Sequence, residues 1–156
     1  MAQKITPCLW FDTQAEEAAN FYVSVFKNSK VGEIMRYPKA AEAVSGKPAG
    51  TVMTVSFELD GNQFLGLNGG PIFKFSQAMS LMIMCQDQAE VDYFWEKLTE
   101  GGQEQPCGWL KDKFGVSWQV IPEELDELLK KSDKVMPVFL EMKKIDLVAL
   151  EKAAAQ

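Results

Sequence analysis

Histidine does not occur in this chain of 156 residues. Its absence removes Ser-His-Asp triads, Cys-His dyads, imidazole acid/base chemistry near neutral pH and every metal site built on imidazole. Cysteine is scarce as well. Cys8, Cys85 and Cys107 are too few and too far apart for a disulfide framework or a zinc knuckle. Their odd number fits buried thiols in a reducing compartment, so a cytoplasmic location is expected. Long apolar runs are missing. The clearest is Leu81-Met82-Ile83-Met84-Cys85, far short of the roughly 20 residues a membrane span needs. The opening MAQKITPCLWFD holds one Lys and no stretch that reads as a signal peptide. A basic patch is absent too: 16 Lys plus Arg stand against 22 Asp plus Glu, for a net charge of −6. Neither a membrane nor a nucleic-acid partner is expected.

What remains is ordinary globular material, 47% hydrophobic and 24% charged. At this length one domain is expected over 1–156, with about two-thirds of the unfolded surface buried. Ile5 to Phe11 is short and apolar and reads as a strand. Thr13 with Glu16 three residues later has the form of a capping box, and Ala15, Ala18, Ala19, Tyr22 and Phe26 follow at helical spacing over 14–27. Val31 to Tyr37 is a weaker strand, and Pro38 to Gly50 a loop expected to be mobile. Met53, Val55, Phe57 and Leu59 alternate with polar neighbours, so 51–59 is a strand, and Asp60-Gly61 turns it into Asn62–Asn68.

Asn68-Gly69-Gly70-Pro71 interrupts the pattern, and a second set begins. Ser80 to Cys85 is a buried strand. Asp87 caps a helix carrying Val91, Phe94, Trp95 and Leu98, which Gly101-Gly102 ends. Gln103 to Asp112 holds another strand, Phe114-Gly115 a turn, and Val116 to Ile121 the closing strand. Pro122 stands where a helix opens, with Leu125, Leu128 and Leu129 inward, and 143–154 forms a last helix. The order implies an α+β fold of duplicated βαβββ modules, 4–70 and 78–122, followed by a helical tail over 123–156.

Three segments carry a resemblance: Glu16-Glu17-Ala18-Ala19-Asn20-Phe21-Tyr22; Leu67-Asn68-Gly69-Gly70-Pro71 with Phe73; and Cys107 to Gly115, CGWLKDKFG, with Ser117-Trp118-Gln119. Over roughly residues 4–122 the chain resembles the vicinal oxygen chelate superfamily, the glyoxalase/bleomycin-resistance fold. Within it the chain is similar to the PhnB-like branch, also labelled 3-demethylubiquinone 3-methyltransferase-like. The resemblance implies cupped mixed sheets with outer helices, on which metal-using members chelate a divalent ion. Carried over by position, the ligand places fall on Pro7, Leu65, Ser80 and Gln119. Two of these have no donor side chain, and a neutral hydroxyl and one amide carbonyl suit a divalent ion poorly. No metal and no cofactor is expected.

If those places point into the cup, period-two alternation adds Leu9, Phe11, Leu67, Met82, Met84 and Ile121 as apolar lining, with Ser80, Gln119 and Asn68 as polar points. Packing inside the fold is an equally good account of any one of them. Trp109 and Lys111 sit on the last hairpin, where Trp109 would stack on a planar ligand and Lys111 hold an anionic group, unless the ring packs on a neighbouring helix or subunit. Cys8 and Cys85 read as core. The candidate ligand site is therefore Leu9, Phe11, Leu67, Asn68, Ser80, Met82, Trp109, Lys111 and Gln119, with no catalytic set visible. The leading expectation is a metal-free protein that binds a small organic ligand. The alternatives are an enzyme of the same fold (lyase, isomerase or transferase) and the methyltransferase of the label. A Gly-rich loop after the first strand, which the common S-adenosylmethionine fold requires, is replaced here by Asp12-Thr13-Gln14-Ala15. Aromatics near the midpoint and the open sheet edges point to a homodimer.

Overall fold

A computed structural model describes residues 3–156, and the chain divides into two compact units between Lys74 and Phe75. The first unit runs β1 (Cys8–Phe11), α1 (Ala15–Val25), β2 (Lys30–Arg36), α2 (Glu42–Ser45), β3 (Val52–Leu59) and β4 (Asn62–Asn68). Its sheet has the order β1-β4-β3-β2, with β1 parallel to β4 and the other pairs antiparallel. The alternation read in β3 holds: Val55, Phe57 and Leu59 are buried, while Thr54, Ser56 and Glu58 take the opposite face. Against the buried set α1 lays Ala15, Ala18, Ala19, Tyr22 and Val25, and the Tyr22 ring lies stacked 6.1 Å from that of Phe57. Burying one such large side chain contributes about 1.5–3 kcal/mol. The helix sits close because its contact side is alanine. A β-carbon on Gly66 would stand 3.2 Å from the Ala15 β-carbon, so that strand position has no room to spare. Asp60 and Gly61 both have positive φ, 47° and 80°, as the tight β3–β4 turn requires.

Two local expectations are corrected here. Thr13 is not the cap of α1; the helix begins at Ala15, after Gln14, and no side chain of its own N-cap residue bonds to it. Its free Ala15 N–H is met instead by Asn68 Oδ1 at 2.8 Å, from β4. The 38–50 segment, expected as a loop, carries a 3₁₀ turn over Lys39–Ala41 and the single turn of α2. Glu42 Oε1 accepts from Ala49 N at 2.8 Å and ties the segment back on itself.

The second unit repeats the plan: β5 (Leu81–Cys85), α3 (Gln88–Thr99), β6 (Gln103–Glu104), β7 (Trp109–Lys111) and β8 (Ser117–Pro122), in the order β5-β8-β7-β6 with β5 parallel to β8. The duplication is thus plain in topology. Asp87 caps α3 as expected, accepting from Glu90 N at 3.0 Å. Val91, Trp95 and Leu98 of α3 are buried, as are Leu110, Trp118, Val120 and Cys85 on the strands α3 covers.

The C-terminal segment differs from its reading. Pro122 ends β8, paired with Cys85, and does not open a helix. Three helices follow: α4 (Leu125–Lys131), α5 (Val135–Leu140), which the sequence did not reveal, and α6 (Leu147–Ala154). Asp146 caps α6 by accepting from Ala149 N, so the last helix starts four residues later than 143. Ile121, Leu125, Leu128, Val135, Ile145 and Leu150 form their shared core. Gln88 joins this tail to the start of α3, donating to Ile145 O at 2.9 Å and accepting from Leu147 N at 2.8 Å. Among the described residues no helix is long and apolar enough to cross a membrane.

Candidate functional site

Strand register decides which candidate side chains share a face. In the first sheet Cys8 stands opposite Leu65, Trp10 opposite Leu67 and Phe11 opposite Asn68. Leu9 and Phe11, 6% and 2% exposed, are therefore turned to the α1 side and packed as core, contrary to their expected place in a binding cleft. The reason is a slip of one residue. Cys8 rather than Pro7 is level with Leu65, and a one-residue shift exchanges the two faces of a strand. Cys8, expected as core, is exposed for the same reason. Asn68 is also occupied. Besides capping α1, it donates from Nδ2 to Val52 O at 3.1 Å, so its amide holds the fold rather than a ligand. Leu67 keeps its expected face, half-buried between Trp10 and Thr54.

The second sheet brings most of the remaining candidates together. Trp109, Gln119 and Met82 lie in one row across β7, β8 and β5. Gln119 Nε2 donates to Ser80 Oγ at 2.9 Å, so the two polar candidates are in contact. Lys111 is level with Ser117 in the adjacent row. All leave the face turned away from α3, since Leu110 and Trp118 between them are buried on the α3 side. Met82 is 56% and Met84 49% exposed there. Ile121 shares the face but is covered by the C-terminal helices.

The four positions that would hold a divalent ion do not fit one. Pro7 and Leu65 offer no side-chain donor, and the Gln119 amide and the Ser80 hydroxyl are bonded to each other. Thiol chemistry is also disfavoured on this unit. Burial first, then the carboxylates of Glu90, Asp87 and Glu123, push the Cys85 thiol from 9.0 up to about 12. In the first unit the Cys8 thiol, exposed at its surface, is still raised by the partial burial of its surroundings. A nucleophilic cysteine needs the opposite shift.

Three members of this face were missed in the sequence: Ser117, Gln105 and Gln103. Stepping back by two from Gln119 reaches Ser117, and the β6–β7 pairing brings Gln103 level with Lys111. The signal was the same alternation, applied to a hairpin whose strands are only two and three residues long.

Residues 3–121 match the family described as 3-demethylubiquinone-9 3-methyltransferase. The chain belongs to that family. Among solved structures it is similar to a PhnB protein from Bacillus cereus, described as a putative 3-demethylubiquinone-9 3-methyltransferase, with 36% identity and a TM-score of 0.68 over 77% of this chain and 99% of that one. Protein PA1353 from Pseudomonas aeruginosa is 20% identical with a TM-score of 0.62, covering 78% and 98%. The fosfomycin resistance protein FosX from Listeria monocytogenes, solved with Mn(II) and sulfate, is 15% identical with a TM-score of 0.53 over 83% and 97%. No curated protein matches the chain. The fold is that of the vicinal oxygen chelate superfamily, the glyoxalase/bleomycin-resistance fold, and this chain is of its PhnB-like kind.

Proposed function

We propose that this PhnB-like protein is a metal-free binder of a small organic ligand, seated on the face of the second sheet turned away from α3. The observation that carries the reading is the exposure of Met82 and Met84 in the interior of a strand, beside the half-buried Trp109 and the Gln119–Ser80 pair. An apolar surface with a few fixed polar points is the usual make-up of a small-molecule site. Methionine adds adaptable, polarisable contact.

The family description names a methyltransferase. Against that chemistry stand two mixed four-stranded sheets where the common S-adenosylmethionine fold has a doubly wound parallel one. The turn from β1 to α1, Asp12-Thr13-Gln14, carries no glycine to approach a cofactor closely. The proposed protein is a cytoplasmic homodimer. Equilibration with Zn, Mn, Fe and Ni followed by elemental analysis tests the reading, with calorimetry against S-adenosylmethionine beside it. Trace metal and no heat of binding are expected. One tightly held ion per chain, or stoichiometric S-adenosylmethionine binding, would overturn it.

A further inference from the structure

The face just described carries hydrogen-bond donors that the fold leaves without acceptors. Among the described residues Lys111 makes no ion pair. Trp10, Trp95 and Trp118 donate their indole N–H to Gly70 O, Glu104 and Asp112, whereas Trp109 finds no acceptor among the described residues. Among the described residues two buried side-chain polar atoms lack a hydrogen bond, Gln105 Oε1 and Ser117 Oγ. Both belong to this face: Ser117 is level with Lys111, and Gln105 N donates to Trp109 O at 3.0 Å in the β6–β7 hairpin. The neighbouring acids are directed elsewhere. Glu104 accepts from Trp95 Nε1 at 2.8 Å and Asp112 from Trp118 Nε1 at 2.9 Å, on the α3 side. One cation and one indole N–H thus stand half-buried on a face with no carboxylate among its named side chains, with the Ser117 hydroxyl buried beside Lys111, on a chain of net charge −6.

We infer that the ligand is an amphipathic organic anion, a carboxylate on an aromatic or alkyl body. This rests on the binding face proposed above and names the chemistry of what it takes. The Lys111 ammonium receives the carboxylate oxygens, since hydrogen bonds to ionised groups are the strong ones. Trp109 and Met82 receive the body. Residues two apart on a strand are about 7 Å apart, so Lys111 and Trp109 can reach the acid and the ring of one small molecule. The Gln119 amide and Ser80 complete the polar side.

The test uses nitrogen-15 spectra of the full chain, in which four indole N–H signals report the four Trp side chains, with that of Trp109 assigned through W109F. Matched probes, 2-naphthoate and 2-naphthamide, are titrated in turn. Naphthoate should move the Trp109 signal with a Kd at least about tenfold below that of the amide, and K111Q should abolish that preference. The other three indole signals of K111Q should stay in place, which shows the variant folded. Equal affinity for acid and amide, or a preference that survives K111Q, overturns the anion inference while leaving the binding face standing. Failure of both probes to move the Trp109 signal overturns the face as well.

Discussion

Asp112 holds the last hairpin together through one carboxylate. It is 2% exposed and accepts from Phe114 N at 2.8 Å, Val116 N at 3.0 Å and Trp118 Nε1 at 2.9 Å. The idiosyncratic KDKFGVSW stretch is thereby explained: the acid closes its own turn and anchors the indole behind it. D112A orphans three donors in a buried place and should lower the unfolding free energy by about 3 kcal/mol or more, read from urea titration, with D112N losing less. Cys85 should make a pH-dependent contribution whose sign follows from the burial of its thiol. Its thiol, shifted from 9.0 to about 12, favours the protonated form in the fold. That stabilisation is whole below pH 9.0 and is lost as the pH rises towards 12, because the unfolded thiol gives up its proton first. The stability gap between the native chain and C85A should therefore narrow from pH 8 to about pH 11, and a gap that widens would reverse the assignment. A thiol reagent at pH 8 should modify exposed Cys8 while buried Cys85 reacts only on unfolding.

At the scale of the element, α1 shows where sequence reading stops. Its length and its alanine face were legible because apolar residues recur at helical spacing. Its cap was not, because the capping group is Asn68, 53 positions along the chain. N68A should lower stability by about 1–2 kcal/mol, read from thermal or urea unfolding, and leave ligand binding on the second sheet unchanged. A loss of binding in folded N68A would restore Asn68 to the site. Leu9 and Phe11 failed for a related reason. A four-residue strand contains the alternation but not its phase, and the phase is set by the partner strand, through the Cys8–Leu65 pairing. Met82, Trp109 and Gln119 were reached separately, by alternation, by place on the hairpin and by the family pattern, and the strand pairing puts all three on one row. Helix α5 stayed hidden since Pro137 sits within its six residues and breaks the periodic signal.

For the whole molecule, the repeated strand order β1-β4-β3-β2 and β5-β8-β7-β6 is the duplication that element order alone suggested. The two halves share topology with few shared letters, so the repeat was legible as pattern, and the family motif around Gly108-Trp109 supplied the rest. Assembly is a prediction of its own. Phe73, 61% exposed, and Ile72, 75% exposed, at the end of the first unit are natural material for a two-fold interface. Sedimentation equilibrium at micromolar concentration should give twice the mass of the chain, and a single species at the monomer mass would refute the dimer. The central claim, a metal-free site for an organic ligand on the second sheet, is met most directly by mass spectrometry of whatever the freshly purified protein carries, released by denaturation. The native chain should release one organic molecule in near-stoichiometric amount, and Met82→Glu, which places a charge on the apolar row, should release almost none while remaining folded. The same yield from both proteins, or release of a divalent metal in place of an organic molecule, would contradict it.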